Sequence, residues 1–246
     1  MRTVIRNALV VFVWLLAALS PARATGPADV MVVATMHGMH AKSQHYSYDT
    51  LYALLKTVNP DYVGVEIRAE DMARDRAYLA KNYPAEMIEA AQQWGPRAFG
   101  FDWLGDDVAG APVPADWWKV RSPIKQLERA LDTDPAFKSE RMDAIQTAEM
   151  AILPSATPAS LNDGRYDKLS DEYYALFDKL MKGSKYQMLA DFYRERDRHI
   201  DMNIAAAIKA HPGARFVILT GGDHRSALVR YLKATLGDDV RLVAVP

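Results

Sequence analysis

The sequence predicts an α/β fold in three layers, with a largely parallel central sheet flanked by helices and with a mostly helical insertion or cap. Two observations support this fold class. Short, uninterrupted apolar runs rich in valine recur along the chain, and they alternate with segments whose apolar residues repeat at helical spacing. Uninterrupted apolar runs are typical of strands covered on both faces, as in parallel sheets. The alternation of such strands with helices indicates a sheet between two helical layers.

The first strand, helix and strand follow each other near the start of this pattern. The apolar run at 30–36 predicts a buried strand, and residues 48–58 carry leucines at helical spacing. An Asn-Pro-Asp turn at 59–61 leads into a second apolar strand at 62–67. A strand–helix–strand unit of this length predicts a right-handed parallel pair.

Weaker patterns between residues 70 and 103 predict two helices and a third strand. Helical spacing recurs at 70–81 and 85–93, and the aromatic-rich run at 98–103 predicts a strand. Residues 105–120 contain glycines, prolines and three acids, a composition typical of a loop or lid.

The segment at 105–185 is predicted to be a helical insertion or lid rather than a second domain. Helical patterns at 121–185 are interrupted at Pro135 and between Pro154 and Pro158. Neither a strand pattern nor a linker composition occurs there. We therefore expect residues 25–246 to form one α/β domain.

The last third of the chain returns to strong patterns. A long helix is predicted at 186–211, where a Pro-Gly pair ends it, and an apolar strand follows at 215–220. A glycine-rich turn leads into a helix at 224–236, and residues 240–245 predict a final strand. This order of elements is that of a three-layer α/β domain.

Residues 1–24 predict a signal peptide that is cleaved. Arg2 and Arg6 precede an uncharged apolar run at 8–19, and small residues stand before the expected cleavage point after Ala24. The alternative is a retained membrane anchor, but the apolar run is short for a span of about 20 residues. The pattern is bacterial in style, so we expect a periplasmic or secreted protein with no membrane span after cleavage.

Composition excludes several classes of function. Residues 1–24 carry three arginines and no acid, so the net charge changes from −1 for the whole chain to −4 without them. A mildly acidic chain lacks the excess of basic residues that is typical of nucleic-acid-binding proteins. Cysteine is absent, which removes thiolate catalysis and thiolate metal sites. The remaining 222 of 246 residues are enough for one sizeable core.

Ionisable side chains stand at the ends of four predicted strands. His37 follows the first strand, Glu66 ends the second, Asp102 ends the third, and His224 follows the strand at 215–220. Ligands of such sheets bind where the carboxyl ends of the strands meet. We therefore expect His37, Glu66 and His224 to form one active or binding site.

Glu66 is the most informative of these residues because it lies within an apolar strand. A buried carboxylate is costly unless it is paired, hydrogen-bonded or bound to a metal. His40 stands three residues after His37, and either imidazole could reach a zinc-like ion at about 2.0–2.1 Å. The alternatives are an end-of-strand glutamate paired with Arg68 and histidines that are satisfied within the core.

Two further features are candidates for the same site. Gly221 and Gly222 free the backbone to turn at a helix N-terminus, where their amides and Asp223 are candidates for holding a ligand or cofactor. The alternative is an ordinary tight turn. On the long helix, Arg196 and Asp197 flank the apolar stripe, which predicts an inward-facing charged pair.

These motifs together resemble the TraB/Tiki superfamily, which includes ChaN-like haem-binding and erythromycin-esterase-like proteins. Members have a Gly-x-x-His motif after the first strand, a glutamate ending the next strand and a second Gly-x-x-His near the C-terminus. The chain has Ala34-Thr35-Met36-His37, with alanine for glycine, then Glu66, then an intact Gly221-Gly222-Asp223-His224. The family's Arg-Asn pair is similar to Arg196-Asp197.

The resemblance implies a metal-dependent hydrolase or, as the alternative, a binding protein without turnover. As in Tiki proteases, a divalent metal (Mn, Co or Zn) would be held by His37, Glu66 and His224. His40 is a further candidate ligand because of its position three residues after His37. The protein would then be an exported hydrolase of a small-molecule or peptide substrate, with Glu66, Arg196 and His224 as catalytic residues. The alternative is a ChaN-like protein that binds haem or a related ligand without turnover. Esterase-like chemistry with a histidine base and no metal is a third possibility.

Overall fold

The central element of the structure is a five-stranded sheet in which every strand is parallel to its neighbours. The structure is a computed structural model and describes residues 26–246, so the predicted signal peptide at 1–24 lies outside the described residues. The strand order is β3-β2-β4-β1-β5, with helices on both faces. The predicted α/β fold class, with its parallel sheet and helical region, is confirmed.

The boundaries of most elements agree closely with the sequence patterns. The strands are β1 (Ala28–Thr35), β2 (Tyr62–Arg68), β3 (Ala98–Asp102), β4 (Arg215–Gly221) and β5 (Val240–Leu242). The α-helices are α1 (Tyr48–Val58), α2 (Arg76–Asn82), α3 (Ala85–Trp94), α4 (Pro123–Asp132), α5 (Glu140–Ile152), α6 (Pro158–Leu161), α7 (Arg165–Met181), α8 (Gln187–Ala210) and α9 (Gly222–Leu236). Within the described residues, none of these helices is long and apolar enough to span a membrane.

The sheet separates two apolar cores because alternate side chains of each strand point to opposite faces. On β4, Val217 and Leu219 pack with residues of α1 and α3, such as Leu55 and Met87. Phe216 and Ile218, which alternate with them along β4, pack on the other face with residues of α8 and α9. Strands covered on both faces require the uninterrupted apolar runs seen in the sequence.

The region between β3 and α8 is helical, as predicted. Its helices α4, α5 and α7 share a third apolar cluster with the start of α8, which includes Ile124, Met142, Phe177 and Leu189. The apolar stripe of α8 therefore contacts this cluster near its N-terminus and the sheet further along.

The helix predicted at 70–81 is shorter in the structure and begins only at Arg76. The preceding residues form a tight turn, in which the buried Asp71 carboxylate accepts a hydrogen bond of 2.8 Å from Arg68 Nε. The Asp75 side chain then caps α2 by accepting from the Tyr78 amide at 2.8 Å. This capping bond satisfies a free amide at the start of the helix and so fixes where it begins.

The edge of β1 is only partly covered by β5, which is shorter than the predicted strand at 240–245. Side chains from the helical layers bind the backbone beyond β5. Arg225 Nε of α9 donates to the Val32 carbonyl at 3.2 Å, and Asn162 Oδ1 accepts from the Ala34 amide at 2.9 Å. Such caps satisfy strand groups that a missing neighbour would leave unpaired.

Replacement of Gly100 by alanine is expected to destabilise the fold by about 1–3 kcal/mol. A Cβ atom at this position of β3 would lie 2.4 Å from the Ile67 carbonyl oxygen, a backbone atom that cannot turn aside. Urea unfolding of Gly100→Ala measures the loss. Gly38→Ala is the matched control because nothing lies within 4 Å of its Cβ position. Equal stability of the two variants would contradict the prediction.

Candidate active site

The carboxyl ends of four strands meet around one cavity of about 420 Å³. His37 follows β1, Glu66 lies near the end of β2, Asp102 ends β3, and His224 lies in the first turn of α9, directly after β4. All four side chains line the cavity, together with Arg196 from α8. The structure thus brings His37, Glu66 and His224 together at the edge where the sequence placed them.

Glu66 is buried, with 4% of its side chain exposed, and its charge is well compensated. Its Oε1 accepts hydrogen bonds from the Thr220 hydroxyl at 2.5 Å and from the Gly221 amide at 2.8 Å, both at the end of β4. Burial raises the pKa of this carboxyl. The cationic forms of His224 and His37, the Arg196 guanidinium and the Thr220 hydroxyl outweigh burial and lower the pKa to about 2. Glu66 is therefore an anion at neutral pH.

His37 stands in a left-handed backbone conformation, with φ of 48°. Such a conformation costs a non-glycine residue about 1 kcal/mol or more and is often found at functional sites. The ring Nδ1 lies 2.7 Å from Oε1 of Glu86, a residue of α3 with no exposed side-chain surface. The ring Nε2 lies 3.7 Å from Glu66 Oε2, and 43% of the side chain remains exposed to the cavity.

The two carboxylates raise the pKa of His37. Desolvation lowers it, but the hydrogen bond to Glu86 and the charges of Glu66 and Glu86 together outweigh that effect. When His37 is neutral, a proton on Nδ1 is donated to Glu86, so Nε2 presents a lone pair toward the Glu66 carboxylate. In that state His37 Nε2 and Glu66 Oε2 are both hydrogen-bond acceptors, and they lie 3.7 Å apart. This arrangement is favourable only if a proton donor, such as a water molecule, binds to both atoms.

His224 forms a second carboxylate–histidine pair in the wall of the same cavity. Its Nδ1 lies 2.6 Å from Asp197 Oδ1, and its Nε2 lies 2.9 Å from Arg196 Nη1. A guanidinium only donates, so the contact with Arg196 is formed by the neutral ring. Burial lowers the pKa of His224, the Asp197 carboxylate raises it on balance, and Arg196 opposes that rise.

Arg196 is a buried cation in the centre of this network. Its Nε donates to Asp102 Oδ1 at 2.9 Å, and its guanidinium lies 5.3 Å from the centre of the Trp118 ring. The pKa of Arg196 is raised because the Asp102 and Glu66 carboxylates outweigh the effect of burial. The predicted inward orientation of Arg196 and Asp197 is thus what the structure has, with each residue bound to His224.

His40 lies outside the cavity, although the sequence made it a candidate metal ligand. Its Nε2 accepts a hydrogen bond of 2.9 Å from the Met36 amide, and its Nδ1 donates to the Tyr46 carbonyl at 2.6 Å. The residue is only 1% exposed. Because both ring nitrogens are occupied within the core, His40 holds the turn after β1 and has no nitrogen left for a metal.

The glycine-rich turn at 221–223 was predicted to hold a ligand or cofactor, but its groups are engaged within the protein. The Gly221 amide donates to Glu66, so it is not free for an anion or a cofactor. Asp223 places a carboxylate at the N-terminus of α9, where its Oδ1 accepts from the Tyr166 hydroxyl at 2.9 Å. A Cβ on Gly222 would lie 2.9 Å from the Tyr166 ring, so that glycine serves close packing.

The predicted metal site fits these residues only in part. Two ligands of one zinc-like ion would lie roughly 3.4 Å apart, close to the 3.7 Å between His37 Nε2 and Glu66 Oε2. Arg196, however, places a permanent positive charge against the His224 lone pair that the metal would need. In residues 26–246, no three His, Asp or Glu side chains are arranged to hold one ion. The arrangement therefore does not fit a metal bound by all three residues.

Glu86 is the principal member of the site that sequence reasoning missed. It lies in the first turn of α3, where an acid is an ordinary helix-start residue, so its position carries no functional signal. Its Oε2 is buried without a hydrogen-bond partner in the described part of the chain. Only the packing of α3 beside β2 brings it to His37, which is 49 residues distant in sequence.

Comparisons with known proteins identify no relative of this chain. No protein-family model matches it, no curated protein matches it, and no solved structure is similar to it. The α/β fold class is therefore defined by the structure alone, and the resemblance to the TraB/Tiki superfamily stays a prediction.

Proposed function

We propose that this protein is a hydrolase that adds water across an acyl bond, with His37 as the general base. The observation that carries the proposal is the setting of His37: Glu86 holds its Nδ1, and its ring lines the same cavity as the buried Arg196. A base whose tautomer is set by a carboxylate, in one substrate-sized cavity with a cation that can stabilise a developing negative charge, is an arrangement suited to acyl hydrolysis.

In the proposed reaction, a water molecule bound near His37 Nε2 attacks the acyl carbon. His37 takes one proton from this water as the new C–O bond forms and the carbonyl π electrons move to the acyl oxygen. It then delivers this proton to the leaving group as the C=O bond re-forms and the bond to the leaving group breaks. The adjacent Glu66 anion stabilises the imidazolium that forms in between. Proton transfer by a positioned base of this kind contributes about 10²–10⁴-fold to the rate.

Arg196 is the proposed stabiliser of the charge that develops on the acyl oxygen. Its Nε and Nη1 are bound to Asp102 and His224, and within residues 26–246 Nη2 has no hydrogen-bond partner and is available to a substrate. Buried cations held in place before reaction stabilise a developing oxyanion strongly because they need no reorganisation. His224 is then a positioning residue that orients Arg196, instead of the catalytic residue that the sequence suggested.

The test is a hydrolysis assay with p-nitrophenyl esters and p-nitroanilides of short acyl groups, with and without a chelator. We expect turnover that survives chelation. Loss of activity on chelation and its return with Mn, Co or Zn would instead support the metal-dependent hydrolase predicted from the sequence. A lack of hydrolysis of every substrate, with protein that is folded, would contradict the proposal.

Haem binding is supported less well by the same geometry. His37 Nε2 faces Glu66 and His224 Nε2 faces Arg196, so each ring that could ligate iron already faces a charged neighbour. Titration of the protein with haem checks this alternative, because an axial histidine shifts the Soret band.

The proposed location outside the cytoplasm depends on residues 1–24 alone.

Glu86→Gln is expected to shift the pH dependence of kcat/KM to lower pH. The Glu86 carboxylate raises the pKa of His37, and a base works only when it is deprotonated, so activity rises as pH passes that pKa. The glutamine oxygen can still accept from Nδ1, but it carries no charge. We therefore expect the rising limb to move down by about one pH unit. An unchanged profile in a folded variant would argue against His37 as the base.

A further inference from the structure

Asp102 has one carboxylate oxygen that the hydrogen bonds of the site leave unused. Its Oδ1 accepts from the Trp103 amide at 2.8 Å and from Arg196 Nε at 2.9 Å. Within residues 26–246, its Oδ2 has no hydrogen-bond partner, although only 3% of the side chain is exposed. This oxygen is not sealed within the protein, so the surface that it keeps faces the cavity that Asp102 lines. A buried acceptor of this kind is costly unless a donor from a ligand or water binds it.

Arg196 provides a free donor beside this free acceptor. Its Nη2 is the guanidinium nitrogen that neither Asp102 nor His224 engages, and 9% of the side chain is exposed. Because Arg196 Nε and Asp102 Oδ1 are hydrogen-bonded, Nη2 and Oδ2 belong to the same part of the cavity wall. The charges of the two residues compensate each other, so the pair favours a neutral polar group over an ion.

The group that matches such a pair has an acceptor and a donor on one edge. A carbonyl oxygen would accept from Nη2, and an N–H would donate to Oδ2. A secondary amide in the trans form points its C=O and its N–H in opposite directions. A primary amide or a lactam presents both on the same edge. An ester has no N–H and would leave the Asp102 oxygen unpaired.

We propose that the substrate is a primary amide or a lactam, held through its carbonyl oxygen by Arg196 and through its N–H by Asp102. The attack on this amide by water at His37 rests on the proposed function, whereas the recognition of the amide edge does not. In the reaction, the C–O bond forms, the C–N bond breaks, and His37 delivers the proton taken from water to the nitrogen, which leaves as ammonia or an amine. Leu104 and Trp118 also line the cavity and offer surface to an apolar substituent.

The binding test uses ring ketones and lactams that resist hydrolysis, so that recognition is measured separately from turnover. Isothermal titration of the full chain compares 2-quinolone with N-methyl-2-quinolone and with 2-tetralone, which has a CH₂ group in place of the N–H. All three have a carbonyl group on a bicyclic ring system of similar size. We expect 2-quinolone to bind at least about tenfold more tightly than either, because only 2-quinolone satisfies the Asp102 oxygen.

Asp102→Asn identifies the acceptor responsible. The single oxygen of asparagine is needed by the Trp103 amide and Arg196 Nε, so its NH₂ group faces the cavity and meets the ligand N–H with a second donor. We expect the ratio of the affinities for 2-quinolone and N-methyl-2-quinolone to fall to about one. Asp107→Asn is the matched control, because this exposed acid does not line the cavity, and it should keep the ratio.

A hydrolysis assay distinguishes the two kinds of amide. Release of ammonia from phenylacetamide identifies a primary-amide substrate, and ring opening of δ-valerolactam identifies a lactam substrate. We expect kcat/KM for the better of the two to fall by at least about tenfold in Asp102→Asn, while hydrolysis of methyl phenylacetate, which has no N–H, falls less.

Equal binding of the three ring compounds by the unaltered protein would overturn the proposal, and this comparison needs no variant if Asp102→Asn folds poorly. A preference for 2-quinolone that survives in folded Asp102→Asn would overturn it as well. Selective binding without hydrolysis of either amide would retain the recognition by Asp102 and Arg196 and reject the reaction at His37. Hydrolysis of p-nitrophenyl esters without selective binding would retain the reaction and reject the recognition.

Discussion

Replacement of His37 by alanine is expected to lower kcat/KM for ester or amide hydrolysis by about 10²–10⁴-fold. The variant loses the only group of the proposed mechanism that can take a proton from the attacking water. Substrate contacts in the cavity remain, so the loss should appear mainly in kcat. Steady-state kinetics of the purified variant measures the effect on the same chromogenic substrates.

His45→Ala is the control for this experiment, because His45 is exposed in the loop before α1 and does not line the cavity. It should keep full activity. His37→Ala leaves Glu86 buried without its partner, so the double variant His37→Ala/Glu86→Gln separates a folding defect from lost chemistry. A kcat of His37→Ala within a few-fold of the unaltered protein would refute the assignment of His37 as base.

Replacement of Arg196 by methionine is expected to destabilise the protein by about 3–5 kcal/mol and to abolish hydrolysis. The change leaves the buried carboxylates of Asp102 and Glu66 without the cation that compensates them. Removal of one partner from a buried ion pair is costly because the remaining charge stays desolvated. Urea unfolding monitored by tryptophan fluorescence measures the difference in free energy of unfolding.

Arg198→Met is a matched control on the same helix. The Arg198 side chain is 49% exposed and pairs with Glu195, so its loss should change stability by less than about 1 kcal/mol. The double variant Arg196→Met/Asp102→Leu should recover part of the loss, since it removes one uncompensated charge. Equal effects of the two single arginine variants would contradict this account of the site.

The effect of Arg196→Met should also depend on pH in a definite direction. The pKa of Glu66 is lowered in the folded protein from 4.5 to about 2. A carboxyl of lowered pKa contributes stability above its unfolded pKa and loses that contribution as pH falls through the folded one. The stability difference between the unaltered protein and Arg196→Met should therefore be largest above pH 4.5 and shrink toward pH 2.

The site combines two carboxylate–histidine pairs with different surroundings. Glu86 holds His37 beside an anion, while Asp197 holds His224 beside a cation. The same pairing thus leaves one ring as a base that faces the cavity and the other as a support for Arg196. This asymmetry is the reason that we assign different roles to two histidines in equivalent positions after their strands.

The sequence alone was sufficient to predict the parallel sheet and the meeting of His37, Glu66 and His224. Strands buried on both faces need uninterrupted apolar runs, and parallel strands bring their carboxyl ends to one edge. These are local patterns combined with a rule of topology, so no knowledge of side-chain packing was needed. The burial of Glu66 also followed from its place within an apolar strand.

Only the tertiary structure placed Glu86 against His37, turned His40 into the core and set Arg196 against His224. Each of these contacts joins residues on different elements or depends on the direction that one side chain takes from a turn. The periodicity of α3 is the same whether Glu86 faces a histidine or solvent, and the left-handed backbone of His37 leaves no trace in composition. Side-chain direction and long-range pairing are decided by packing, which local sequence patterns do not encode.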